Sequence, residues 1–223
     1  MQAVQQAGRK YHRYLNDLDN RLYRTLEDVI TKPYPLKFER LAGSSSRTGF
    51  NVILQEGPYM TYISEKPCYA KDGRFFSAEL SFLRNGIVEA GWMLDSPAHF
   101  FLLYCPLNWN PETGETTSIH ALLVAKARLL QELSRRGFDR AALAGRDELL
   151  RKSGWAGLYH TADPDIEISF RQAGERNPIF LQIKTPALES IASADFWVPV
   201  GDNTEPLRGK WLGKEINFKT KEG

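Results

Sequence analysis

The sequence predicts a mixed α/β protein with a central mixed β-sheet flanked by helices. Three observations predict it. Apolar residues recur at helical steps near the N-terminus, and again in a block after the midpoint. Short apolar or alternating runs, bounded by Gly, Pro and Asn, fill the middle and the last third. No single period or low-complexity tract runs through the chain.

Residues 8–31 fit an amphipathic helix. Tyr11, Leu15, Leu18, Leu22, Leu26 and Val29 form one stripe, which Pro33 and Pro35 end. Residues 50–55 and 59–64 read as a hairpin turning at Gly57-Pro58. A third strand over 75–83 alternates around Ala78, Leu80 and Phe82. Gly91 to Leu94 lead into a short segment that ends at Pro97. The unbroken apolar run 99–105 suits a strand buried on both faces. Residues 107–117 are a polar loop. Apolar spacing then predicts a helix from Ser118 to Gly137, and a second, capped by Asp139, to about Lys152. Strands follow at 165–170 and 178–184, then a helical turn over 187–192 and a strand over 196–200. The whole reads as one domain over 1–223, with an N-terminal helix 8–31, a helical insertion 118–152 and a polar tail 201–223.

Composition excludes several classes. Hydrophobic residues make up 42% of 223, enough to bury a core, which argues against disorder. Lys and Arg number 29 against 27 acidic residues, and a net charge of +2 does not by itself announce nucleic acid. Basic residues do cluster, at Arg9, Lys10, Arg13, Arg21 and Arg24, and in the second helical block, where Arg135 and Arg136 are placed as DNA contacts. Cys68 and Cys105 are expected as free thiols of a cytoplasmic protein. No run approaches a membrane span and no signal-peptide core opens the chain, so no membrane partner is expected. His12, His99, His120 and His160 show no HxxxH or HExxH spacing, which argues against zinc hydrolysis. Gly-rich phosphate loops and the GxSxG elbow are missing too.

The most informative feature is the hairpin at 163–184. Side chains alternate along a strand, so Gln182 and Lys184 share a face, and Asp165 on the partner strand meets that end of the ladder. A carboxylate and an amide carbonyl hold a hard divalent ion such as Mg²⁺, and an ammonium stabilises phosphate charge or steers an attacking water. That set equips a site for metal-dependent phosphodiester hydrolysis.

Pro164-Asp165 followed by Gln182-x-Lys184 resembles the signature of the restriction-endonuclease-like, PD-(D/E)XK, nucleases. The resemblance spans about residues 118–200. It implies a restriction-endonuclease-like sheet with Asp165, Gln182 and Lys184 as catalytic residues. It also implies Mg²⁺ or Mn²⁺ held by Asp165 and Gln182, and DNA as partner. A second placement, over about 40–106, resembles another branch of the same superfamily. It uses Gly49-Phe50-Asn51, Ser64-Glu65-Lys66, Glu79, Gly91-Trp92 and Ser96-Pro97-Ala98-His99. Here Asn51 stands where Asp is expected, Ser64 where Gln or Glu is, and His99 where Asp is, leaving Lys66 and Glu79 as the catalytic candidates. Such a site implies an inactive relative, a non-enzymatic DNA-binding accessory factor of a plasmid or conjugative element. A homodimer or other mobile-element proteins are the further partners implied.

Overall fold

Alternation of apolar and polar side chains along residues 75–84 and 179–184 gives each segment one face to bury. In the computed structural model of the chain these two strands lie side by side, antiparallel. The structure describes residues 18–24, 36–41, 49–67, 74–108, 116–172, 175–203, 205–211 and 214–217.

The strands form two sheets. The larger has eight, in the order β1 (Leu36–Arg40), β2 (Val52–Glu56), β3 (Tyr59–Pro67), β6 (Phe100–Leu107), β7 (Ser118–Ala125), β11 (Ala194–Pro199), β12 (Arg208–Trp211) and β13 (Lys214–Asn217). It is mixed, because β3 and β6 run parallel while their neighbours are antiparallel. The smaller is antiparallel, in the order β5 (Ile87–Ala90), β4 (Phe75–Arg84), β10 (Ile179–Lys184), β9 (Ile166–Phe170) and β8 (Gly157–His160). Among the described residues four α-helices join these strands: α1 (Trp92–Asp95), α2 (Lys126–Arg135), α3 (Arg140–Ser153) and α4 (Thr185–Glu189). Each sheet draws strands from both halves of the chain, so residues 40–106 and 118–200 interleave: β4 of the former pairs with β10 of the latter.

Two cores flank the larger sheet. Phe101, Leu103, Leu122 and Val124 pack against the inner face of the smaller sheet, where Leu80, Ile168 and Leu181 point, together with Leu129 and Leu133 of α2. On the opposite face Leu102, Tyr104, Ile119 and Phe196 pack under Leu22 and Tyr23 of a helical turn, Leu18–Tyr23. This two-sided burial is why the run around residues 100–105 is continuous rather than alternating. The mixed sheet is therefore covered by a second sheet plus helices on one face, not by helices alone.

The helix expected from Ser118 is a correction. Residues 118–125 are strand β7, paired with β6 and β11, and the helix begins only at Lys126. The insertion 118–152 is therefore a strand followed by two helices. The second helix is as expected: Asp139 caps α3 by accepting the Ala142 N–H at 2.8 Å, and Gly154, at φ 64°, ends it. The polar tail contributes β12 and β13. Of the N-terminal helix only 18–24 is described, so Arg9, Lys10 and Arg13 lie outside the described residues, as do Cys68, most of the loop 107–117 and residues 218–223. Cys105 is buried in β6. Among the described residues no helix is long and apolar enough to cross a membrane.

Candidate functional site

The hairpin 163–184 forms as expected, with Ile166 opposite Ile183 and the Lys184 N–H donating to the Asp165 carbonyl at 2.9 Å. The Lys184 ammonium stands 3.9 Å from the Asp165 carboxylate. Gln182 lies on the Lys184 face, opposite Glu167 and Ser77. The Asp165 carboxylate is already engaged, since Arg136 donates to it at 3.2 Å and to Asp163 at 3.1 Å. The other end of that guanidinium bonds Glu132 at 2.7 Å, and Arg135 bonds Glu132 as well. These bonds hold the Glu132 carboxyl down to about 2. Arg136 thus spends its donors on three carboxylates of its own chain. A divalent ion at Asp165 would compete with this guanidinium for the carboxylate.

The second placement divides across the larger sheet. Glu65 is 2% exposed and packs beneath the helical turn. Its carboxylate accepts from Tyr23 Oη at 3.0 Å, from both ends of the Arg40 guanidinium and from the Asn51 amide. Asn51 Oδ1 in turn accepts the Glu65 N–H at 2.7 Å. Asn51 therefore completes a buried ion-pair network. Ser64 is fully buried, and His99 accepts the Tyr62 N–H at 3.1 Å.

Lys66, on the other side of the strand from Glu65, reaches a cleft of about 780 Å³ beside α1. Its ammonium sits 5.1 Å from the centre of the Trp92 ring. Glu79 lines the same cleft from β4, so the two candidates of this placement meet there. The approach of α1 to β4 requires a glycine at 91, where a Cβ would fall 2.2 Å from the Glu79 carbonyl oxygen.

Two further ion pairs line the cleft. Arg176 donates to both Glu79 oxygens at 3.2 Å, and Arg84 pairs with Glu89 at 3.3 Å. Both guanidinium groups stack on Phe82, at 4.3 and 5.5 Å. They stay more than half exposed. Burial pushes the Lys66 ammonium below its ordinary value, with Glu79 opposing the shift. Burial likewise pushes the Glu79 carboxyl up, against the attraction of Arg176 and Lys66.

Arg84, Arg176 and Trp92 were not placed as site residues from the sequence, although Gly91-Trp92 belongs to the resemblance. Arg176 comes from the loop before β10, nearly a hundred positions from Glu79, and no spacing rule joins them. No protein-family model matches the chain, and no curated protein or solved structure matches it either.

Proposed function

We propose that this protein binds DNA through the Lys66 cleft without hydrolysing it, the accessory role that the second resemblance implies. The observation that carries this reading is the Lys66 ammonium, seated over Trp92 in a cleft where Glu79 and Glu89 already hold arginines and Asp95 is the third acidic residue of the lining. Two-metal or one-metal phosphodiester hydrolysis needs carboxylates free to ligate an ion beside the lysine. Glu65, the carboxylate next to Lys66 in sequence, is spent on Arg40, Asn51 and Tyr23 on the opposite face. At the other hairpin the Asp165 carboxylate already pairs with Arg136.

Binding asks for less than hydrolysis. Lys66, Arg84 and Arg176 line the cleft beside Glu79, Glu89 and Asp95, and an exposed guanidinium that one carboxylate holds has further N–H donors for a phosphate oxygen.

The test uses the full chain with labelled single-stranded and duplex oligonucleotides, and with supercoiled plasmid in Mg²⁺ or Mn²⁺. The expected result is salt-sensitive binding, weakened by Lys66→Ala, with the plasmid left intact. Plasmid cleavage lost in Lys184→Ala would restore hydrolysis at the 163–184 hairpin. Cleavage lost in Lys66→Ala would restore it at the cleft. Absence of binding to either DNA form would overturn the proposal.

A further inference from the structure

We infer that His120, Glu189 and Asp195 form a binding site for one divalent transition-metal ion, with Zn²⁺ the best match to the donors. The site lies apart from the Lys66 cleft and does not depend on how that cleft is read. Three elements build it. His120 is the third residue of β7, Asp195 the second of β11, and Glu189 the last of α4. Trp197 lies directly across the ladder from His120, and Asp195 across from Leu122, which places the imidazole and the carboxylate on one face. His120 Nε2 stands 2.7 Å from Asp195 Oδ1 and 3.9 Å from Glu189 Oε1, and one ligand atom from each of the three residues lies within 4.8 Å of the others.

These spacings suit a shared ion. Donors at about 2.0–2.2 Å from zinc lie roughly 3–3.5 Å apart in a tetrahedron, so the observed separations bracket the bound geometry. Small rotations of two carboxylates reach it. The imidazole is fixed in advance: it is 3% exposed and stacks on Trp197 at 4.5 Å with the planes 15° apart. Asp195 is held from behind, because β12 passes so close that a Cβ on Gly209 would fall 2.2 Å from the Asp195 carbonyl oxygen. The carboxylates of Glu189 and Asp195 remain 39% and 30% exposed, which gives the ion an entry path and leaves a water the remaining position. One imidazole with two carboxylates favours zinc or manganese over Mg²⁺ and Ca²⁺, which take oxygen ligands.

The alternative for these residues is a plain His120–Asp195 ion pair, in which Glu189 has no part. Glu189→Gln separates the two, because it removes a ligand from an exposed position and leaves the buried pair intact. The full chain, freed of metal with a chelator, is titrated with ZnCl₂ and with MnCl₂ by calorimetry, and its urea midpoint is measured without metal. The expected result is one equivalent of Zn²⁺ per chain. Glu189→Gln and Asp195→Asn should each lose about tenfold or more in affinity, the size that even an outer-shell support of a metal ligand contributes. The metal-free midpoint of Glu189→Gln should equal that of wild type. No saturable binding of either ion, or Glu189→Gln binding Zn²⁺ as wild type does, would overturn the inference.

Discussion

Asn51 grips Glu65 at two points: its side-chain carbonyl accepts the Glu65 backbone N–H at 2.7 Å, and its amide donates to the Glu65 carboxylate. Asn51, at the position where the resemblance leads one to expect aspartate, is thereby tied into a buried ion-pair network with Arg40 and Tyr23. Asn51→Asp, which would restore the expected carboxylate, places two like charges in contact inside the core. We expect it to destabilise the fold by about 3 kcal/mol, as for a broken buried pair, and to confer no plasmid nicking. Urea unfolding and a nicking assay check both outcomes.

Glu79 gives a pH signature. Burial raises its folded carboxyl above 4.5, so the native state keeps a proton that the unfolded chain has already lost. Its contribution to stability is greatest below pH 4.5 and declines as pH rises through the folded value. Glu79→Gln removes that titration. The variant should therefore gain stability relative to wild type as pH rises across this window, which thermal melts at stepped pH will read.

Glu132 works in the opposite sense. Hydrogen bonds from Arg135 and Arg136 hold its carboxyl at about 2 in the folded state, against 4.5 for a free group. Its contribution is complete above pH 4.5 and is lost as pH falls towards 2. Arg136→Gln loosens this and also frees Asp165 and Asp163. We expect the variant to lose less stability than wild type between pH 4.5 and 2 in denaturant titrations.

Capping supplies a local test of the fold. Asp139 accepts the Ala142 N–H at the start of α3, and Asp139→Ala should cost about 1 kcal/mol in a urea melt. The effect stays local, since α3 is anchored elsewhere by Arg151, which bonds Asp147, Ser81 and the Asn177 carbonyl.

Much of the sheet was legible because burial writes itself into period and run length. The alternation along β4 and β10 and the unbroken run of β6 each announced a strand. The β7 segment was not legible. Ile119, Leu122 and Leu123 fit a helical stripe when read with Leu129, Leu130 and Leu133, and the strand passes into α2 at Ala125–Lys126 without a Gly, a Pro or a side-chain cap. Because the apolar residues of β7 continue into α2 at helical steps, no change of period marks the join. The candidate sites divide similarly. The pairing of Asp165 with Lys184 follows from hairpin register, which is local. Arg136 reaching Asp165, Arg176 reaching Glu79 and the meeting of His120, Glu189 and Asp195 all depend on contacts between elements far apart in sequence. His120 in particular has no metal-ligand spacing to its neighbours, because its partners arrive on α4 and β11.

Contact of Lys66 and Arg176 with phosphate in the cleft, as proposed, makes DNA binding depend on salt in a defined way. Affinity for a single-stranded oligonucleotide should fall log-linearly as salt rises, and Lys66→Ala and Arg176→Ala should each reduce the slope by about 1, the loss of one phosphate contact. Affinities and slopes in both variants equal to those of wild type would contradict it.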